Sequence, residues 1–244
     1  MLGVCGAQVQ AHPVADTDRH EPQIYQLRVV LRGISPLIWR RLLVRSDSTV
    51  AQLHEVLQVA FGWDDEHLNR FEIRGREYAV YRDGGGMIGI DATGVRLRDL
   101  KLRRLERFVY EYDFGDSWIH DLRLEATSLI SPRRTYPVCV AGKCSAPPED
   151  CGGPHTFMAN RRSYVGVGRG RSDEVVDDFV DEFDAEESDV FNDYDPDRFD
   201  RRHVNRALAK LATRSYEEAL DEIHNPGIGR IPTRSSTRHP DPDD

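Results

Sequence analysis

From residue 23 onward the chain alternates apolar and polar positions with the period of a β-strand. In "IYQLRVVLRG", Tyr25, Leu27, Val29 and Leu31 fall on one face and Gln26, Arg28, Val30 and Arg32 on the other, as in a strand with one buried side. "SPLIWRRLLVRS" follows a Ser-Pro break and predicts a second strand, less regularly alternating. The period then changes. In "DSTVAQLHEVLQVAFGW" the residues Val50, Leu53, Leu57, Ala60 and Phe61 form a helical stripe, with a start signal at Asp47 or Ser48 and a stop at Gly62. "HLNRFEIRGREYAVY" predicts two short strands around Arg74-Gly75, and "RLRDLKL" a short helical turn. The clearest hairpin is "RFVYEYDFGDSWIHDLRLEAT". Phe108, Tyr110, Tyr112 and Phe114 alternate going in, Trp118, His120, Leu122 and Leu124 alternate coming out, and Gly115 marks the turn.

The pattern weakens toward the C-terminus. Residues 131–155 hold several prolines and read as irregular. Over 173–190, Val175, Val176, Phe179, Val180 and Phe183 at helical spacing predict an acidic amphipathic helix. "DPDRFDRRHVNRALAKLA" predicts a turn running into a helix. Residues 1–21 and 225–244 have no period and are predicted to be a disordered arm and tail. No internal repeat is visible. Antiparallel strands with interspersed helices predict one α+β domain over residues 22–212, built on a mostly antiparallel sheet with a few packed helices.

Composition narrows the setting. No apolar run approaches the ~20 residues that span a bilayer, which argues against a membrane partner. "MLGVCGAQVQ" lacks the basic and apolar regions of a secretory signal, and four residues before Cys5 cannot make a lipoprotein leader. A cytoplasmic chain with four reduced thiols is the expectation. The net charge of −9 is unevenly placed. Residues 21–147 hold 19 Lys/Arg and 17 Asp/Glu, a balance of +2. Residues 148–200, which contain the acidic segment 173–200, hold 5 and 16, a balance of −11. A weakly basic, arginine-rich body could contact nucleic acid although the whole chain is acidic.

Several chemistries are excluded by missing partners. Asp113-Phe114-Gly115 spells the kinase magnesium triplet, but no glycine-rich strand turn, strand lysine or catalytic-loop aspartate precedes it. The loop "RDGGGMIGIDATG" lacks the Gly-Lys-Ser/Thr ending of a phosphate loop. No nucleophile elbow is present, and no cysteine opens a readable helix. The histidines carry more information. His54 borders the helical stripe, His67 opens the strand after it, and His120 shares the core-facing parity of Trp118 and Leu122. With Asp113, Asp116, Glu149 and Asp150 they could bind a divalent metal or act as general acid and base. The plainer alternative is that each histidine is buried, neutral and hydrogen-bonded. Cys139, Cys144, Cys151 and His155 form a C-x4-C-x6-C-x3-H series, a weaker zinc signal because the tight C-x2-C knuckle is missing.

Five stretches occur in a familiar order: "YQLRVVLRGISPLIWRRLLV", "LHEVLQVAFGWDDEHLNRFEI", "YEYDFGDSWIHDLRLE", "YPVCVAGKCSAPPEDCGGP" and "YDPDRFDRRHVNRAL". In these the chain resembles the plasmid pRiA4b ORF-3-like family over roughly residues 23 to 210. The resemblance implies a compact α+β domain of the kind found as an insertion-element passenger, with no assigned activity. Some relatives are labelled resolvase-like, but no serine- or tyrosine-recombinase catalytic set is found here. The family pattern falls on Trp39, Arg40, His54, Trp63, His67, Phe71, Asp113, Gly115, Asp116, Trp118, His120, Pro148, Glu149, Asp150, Gly152 and Gly153. Two departures stand out. Ala146 stands where relatives often carry cysteine, and the acidic "DEFDAEESDVFNDY" replaces a segment rich in tryptophan and glycine. Two functions remain open. One is an accessory binding protein of mobile-element type that contacts nucleic acid or a protein partner. The other is a metal-dependent hydrolase or nuclease using the His/Asp cluster.

Overall fold

The structure is a computed structural model that describes residues 21–80, 89–167, 194–213 and 216–224. The predicted acidic helix over 173–190 and both predicted tails lie outside these residues, save that residue 21 of the arm is described. Eight strands form one sheet in the order β5-β4-β3-β6-β7-β1-β2-β8. The strands are β1 (Gln23–Leu31), β2 (Trp39–Arg45), β3 (Asn69–Ile73), β4 (Arg76–Ala79), β5 (Ile90–Asp91), β6 (Arg107–Tyr112), β7 (Trp118–Leu129) and β8 (Val138–Lys143). Every pairing is antiparallel except the short β4–β5 contact at one edge. Four helices complete an α+β fold: α1 (Val50–Phe61), α2 (Gly153–Val167), α3 (Arg201–Ala212) and α4 (Tyr216–His224).

Alternation in the sequence becomes sidedness in the sheet. Leu27, Val29 and Leu31 of β1, Phe108, Tyr110 and Tyr112 of β6, and Trp118, Leu122 and Leu124 of β7 are all buried, in one cluster with the stripe of α1. Helix α1 begins later than Asp47 or Ser48 would place it. Thr49 is its cap: the Thr49 side chain accepts from the Gln52 backbone N–H, and the Gln52 side chain accepts from the Thr49 N–H. That reciprocal box satisfies two orphan donors at once. Gly62 ends the helix in the left-handed conformation (φ 77°), as expected. At the β3–β4 turn Arg74 (φ 53°) and Gly75 (φ 71°) are both left-handed, the geometry that matches strand twist in a two-residue hairpin. "RLRDLKL" forms a 3-10 turn at Leu97–Leu100.

The stretch 131–155 is more ordered than its prolines imply. It contains β8, which pairs with β2, and the start of α2. Short strands at a sheet edge carry too few alternations to stand out by period. Helix α3 is capped by Asp200, whose carboxylate accepts from the Arg202 and His203 N–H groups. It packs on β8, where the Asn205 amide donates to Cys139 O (2.9 Å) and accepts from Cys139 N–H (2.7 Å).

A buried arginine joins these layers. Arg40 is 2% exposed and has no carboxylate partner among the described residues. Its Nε donates to Ala60 O (2.9 Å) at the end of α1, and Nη1 donates to the carbonyls of Trp39, Lys143 and Cys144. The guanidinium also lies over Phe199 (4.0 Å) and Phe61 (5.0 Å). Burial pulls its pKa down to about 10, so it stays charged at neutral pH. Five planar donors suit this ring of carbonyls, and a lysine ammonium does not reproduce that fork. Arg40→Lys is expected to cost about 2–4 kcal/mol in urea unfolding, because buried carbonyls lose their donors.

Candidate metal centre

Three segments meet at the tip of the β6–β7 hairpin. At Asp113 the chain turns left-handed (φ 54°), and again at Ser117 (φ 55°); Gly115 is not in that region. The turn is therefore built by Asp113 rather than by the glycine. Its Oδ1 accepts from Gly115 N–H (2.9 Å), its N–H donates to Leu68 O (2.9 Å), and its carbonyl accepts from Ser117 N–H (2.6 Å). The break at Asp113 also ends the alternation, so Phe114 lies half-exposed beneath Arg70 (5.4 Å) rather than in the core.

The second segment, residues 147–153, is pinned to the tip from two sides. Asp116 Oδ2 accepts from Gly152 N–H (3.1 Å). Gly153 passes so close that a Cβ there would lie 2.6 Å from Asp116 O. From the core side, Trp63 Nε1 donates to Pro147 O (2.9 Å). The third segment links α1 to β3 and carries His67. The Tyr112 hydroxyl collects this segment by accepting from Glu66 N–H (3.1 Å) and His67 N–H (3.4 Å), and donates to Glu149 Oε1 (2.5 Å).

His67, Asp113 and Asp150 converge. Each offers one ligand atom, and these atoms lie within 4.8 Å of one another. His67 Nδ1 is 3.9 Å from Asp113 Oδ1. His67 Nε2 is 3.1 Å from Asp150 Oδ1, yet it makes no hydrogen bond and is sealed from solvent. With His67 protonated this contact is an ion pair; with His67 neutral, a cation between Nε2 and the Asp150 carboxylate would satisfy both groups. The Asp150 side chain is 71% exposed, so the group opens to solvent on one side. One imidazole and two carboxylates suit a hard or borderline divalent ion and leave coordination positions open. Next to Asp150, burial pushes the Glu149 carboxyl above its ordinary range, partly offset by the bond from Tyr112.

The other predicted residues stand elsewhere. His54 belongs to a separate polar group: its Nε2 meets Asp65 Oδ1 (2.8 Å) and its Nδ1 meets the Tyr110 hydroxyl (2.7 Å), which also accepts from Gln58 Nε2 (2.9 Å). His120 is fully buried against Phe61, Trp63 and Tyr110, with Nδ1 on Trp118 O (3.1 Å) and no hydrogen bond at Nε2 among the described residues. Among the described residues His54 and His120 thus have partners other than the group around His67, and Asp116 accepts from the backbone of Gly152. Cys139, Cys144, Cys151 and His155 form no metal-capable group among the described residues. Burial pushes the three thiols up, Cys151 to about 12, so they resist becoming thiolate ligands. Asp65, Tyr110 and Tyr112 are not among the candidate site residues that the sequence offers, although alternation puts both tyrosines on the inward face. The available signal was a tyrosine, not phenylalanine, at core-facing positions, since a buried hydroxyl needs a partner. A cleft of about 420 Å³ lined by Thr49, Gln52, Glu55 and Tyr216 includes none of the converging residues.

The α+β fold described above is shared with known proteins, none of whose descriptions assigns a chemistry. The family model described as "Plasmid pRiA4b ORF-3-like protein" matches residues 23–203, and the chain belongs to that family. A curated relative, the uncharacterized protein y4hQ of Sinorhizobium fredii, is 35% identical over 137 residues, 55% of this chain and 70% of its own length. A crystal structure of a protein of unknown function, MM3350 from Methanosarcina mazei Go1, is 29% identical with a TM-score of 0.56, covering 74% of this chain and 97% of that one. Among the described residues no helix is long and apolar enough to cross a membrane.

His120 makes the fold acid-sensitive. Burial lowers its pKa from 6.5 to about 3, so above pH 6.5 it is neutral whether the chain is folded or not. Below pH 6.5 the unfolded chain gains a proton that the folded chain refuses, and stability falls as pH drops toward 3. Urea midpoints should report a loss of about 2 kcal/mol between pH 7.5 and 5 from this residue. His120→Phe, which keeps a ring and removes the proton site, should flatten that slope.

Proposed function

We propose that the chain binds a divalent cation through His67, Asp113 and Asp150 and acts as a metal-dependent hydrolase. The observation that carries this reading is the convergence itself, with His67 Nε2 unbonded 3.1 Å from Asp150. A bound cation would supply a polarising charge and a more acidic water. The chain's own part is to hold the ligands rigidly and to move a proton. Asp113 is locked by its turn, His67 by the Tyr112 hydroxyl, and Asp150 by the pinned 147–153 segment. Glu149, its pKa raised by burial, is the proton-transfer group beside the centre.

Tag-free protein, stripped by chelation and titrated calorimetrically with Mn2+ and Zn2+, should bind about one equivalent. Asp113→Asn and Asp150→Asn should weaken binding more than tenfold while folding normally, because asparagine tolerates left-handed backbone. His54→Gln should not change it. Glu149→Gln should keep the ion and lose hydrolysis of bis(4-nitrophenyl) phosphate. Less than a tenth of an equivalent after growth with metals, together with no titration heat, would sink the centre.

A second reading has its own support. An accessory binding protein of mobile-element type, working in the cytoplasm on nucleic acid or a protein partner, fits the +2 balance of residues 21–147 and the arginines on the sheet face opposite the core.

A further inference from the structure

The sheet face opposite the core holds an arrangement that stability alone does not favour. Strand pairing sets Arg41 opposite Arg28, Arg28 opposite Arg123, and Arg123 opposite Arg107. Four arginines therefore stand in one row across β2, β1, β7 and β6. Strands lie about 4.8 Å apart, so the row is roughly 14 Å long. Like charges placed directly opposite one another are destabilising. Glu125 answers one end of the row, accepting from Arg41 (2.6 and 3.2 Å) and from Arg123 (3.3 Å), and Asp121, which Arg32 holds, also feels the charge of Arg107 at the other end. Arg28 and Arg107 have no ion pair among the described residues. Arg28 Nε and Arg123 Nε are sealed from solvent and have no hydrogen-bond partner among the described residues. Against the row stands Trp39, half-exposed, with Arg28 (5.1 Å) and Arg41 (5.5 Å) over its ring.

We infer that this row is a docking surface for single-stranded nucleic acid, with the arginines on the phosphates and Trp39 as a stacking platform. A charged track beside an aromatic ring matches what an unpaired strand offers, namely a line of phosphates and bases whose faces are free. A duplex hides its base faces, and the row lies across the middle of an eight-stranded sheet rather than on a projecting helix or ribbon that could enter a groove. Arg32 is not part of the track, since Asp121 holds it with two hydrogen bonds (3.0 and 2.6 Å). The inference deepens the binding reading and is independent of the cation centre.

The test is fluorescence anisotropy with labelled oligo(dT) on the full chain in EDTA. Binding should weaken with salt at a log–log slope of about −0.7 per phosphate engaged. Arg28→Gln and Arg107→Gln should each weaken binding several-fold and remove about 0.7 from that slope, without lowering the unfolding midpoint. Trp63 and Trp118 are buried, so quenching by the oligonucleotide should arise from Trp39 and disappear in Trp39→Phe. Arg206→Gln, on an exposed Glu222 pair of α3, should bind like the parent. Binding that survives both row substitutions, equal binding of a duplex, or quenching that persists in Trp39→Phe would overturn the docking surface and leave the binding reading standing. No nucleic-acid binding at low salt would overturn the surface and the nucleic-acid form of that reading together.

Discussion

Trp63 is the residue on which both halves of the candidate centre rest. A buried indole imposes two demands, a flat cavity of matching shape and an acceptor for its one N–H. The cavity is made by Phe61 (5.4 Å), Tyr112 (5.1 Å), Trp118 (6.0 Å) and His120 (5.2 Å). The acceptor is Pro147 O, at the root of the segment that carries Glu149 and Asp150. Aromatic pairs of this kind are worth about 0.5–1.5 kcal/mol each beyond the area they bury. A single side chain thereby ties the end of α1, the hairpin strands and the 147–153 segment into one rigid body. With the Tyr112 hydroxyl and the Asp116–Gly152 bond, it fixes His67 relative to Asp150.

Backbone strain gathers at the same end of the molecule. Asp65, Asp113, Ser117 and Asp150 all adopt the left-handed region, which costs a side-chain-bearing residue of order 1 kcal/mol. Aspartate tolerates it because its carboxylate can bond the local backbone, as Asp113 does with Gly115. Three of these four are aspartates, and two of those face His67. Turns that could have been made by glycine are made by residues with chemistry, and the aromatic core beneath them over-determines their conformation.

The interior polarity follows a different rule from the surface. Among the described residues Arg40 is held by carbonyls rather than by a carboxylate, so it is hydrogen-bonded there without a neutralising partner. His120 is held neutral in an aromatic cage. On the open face, by contrast, Glu125 is pulled down to about 2, first by its bond to Arg41 and then by Gln26 and Arg123. Inside, one arginine is shared among several carbonyls, whereas on the open face one carboxylate, Glu125, is shared by Arg41 and Arg123.

The sequence by itself determined what repeats locally. Period-two alternation named β1, β6 and β7 and the inward side of Tyr110, Tyr112 and His120, because a strand has only two faces. Helical spacing and Gly62 named α1 and its end, because backbone propensity and capping act within a few residues. Tertiary structure alone decided the rest. Whether His54, His67 and His120 share an ion depends on the path of three segments far apart in sequence, and inward parity is common to a ligand and a core residue. The grouping of His67 with Asp113 and Asp150 arises from the Trp63–Pro147 and Asp116–Gly152 bonds, which no local pattern announces. The arginine row depends on the register between strands. Alternation placed Arg28 on the outer face, but only pairing set it opposite Arg41 and Arg123, because register is fixed by hydrogen bonds between distant segments rather than within either one.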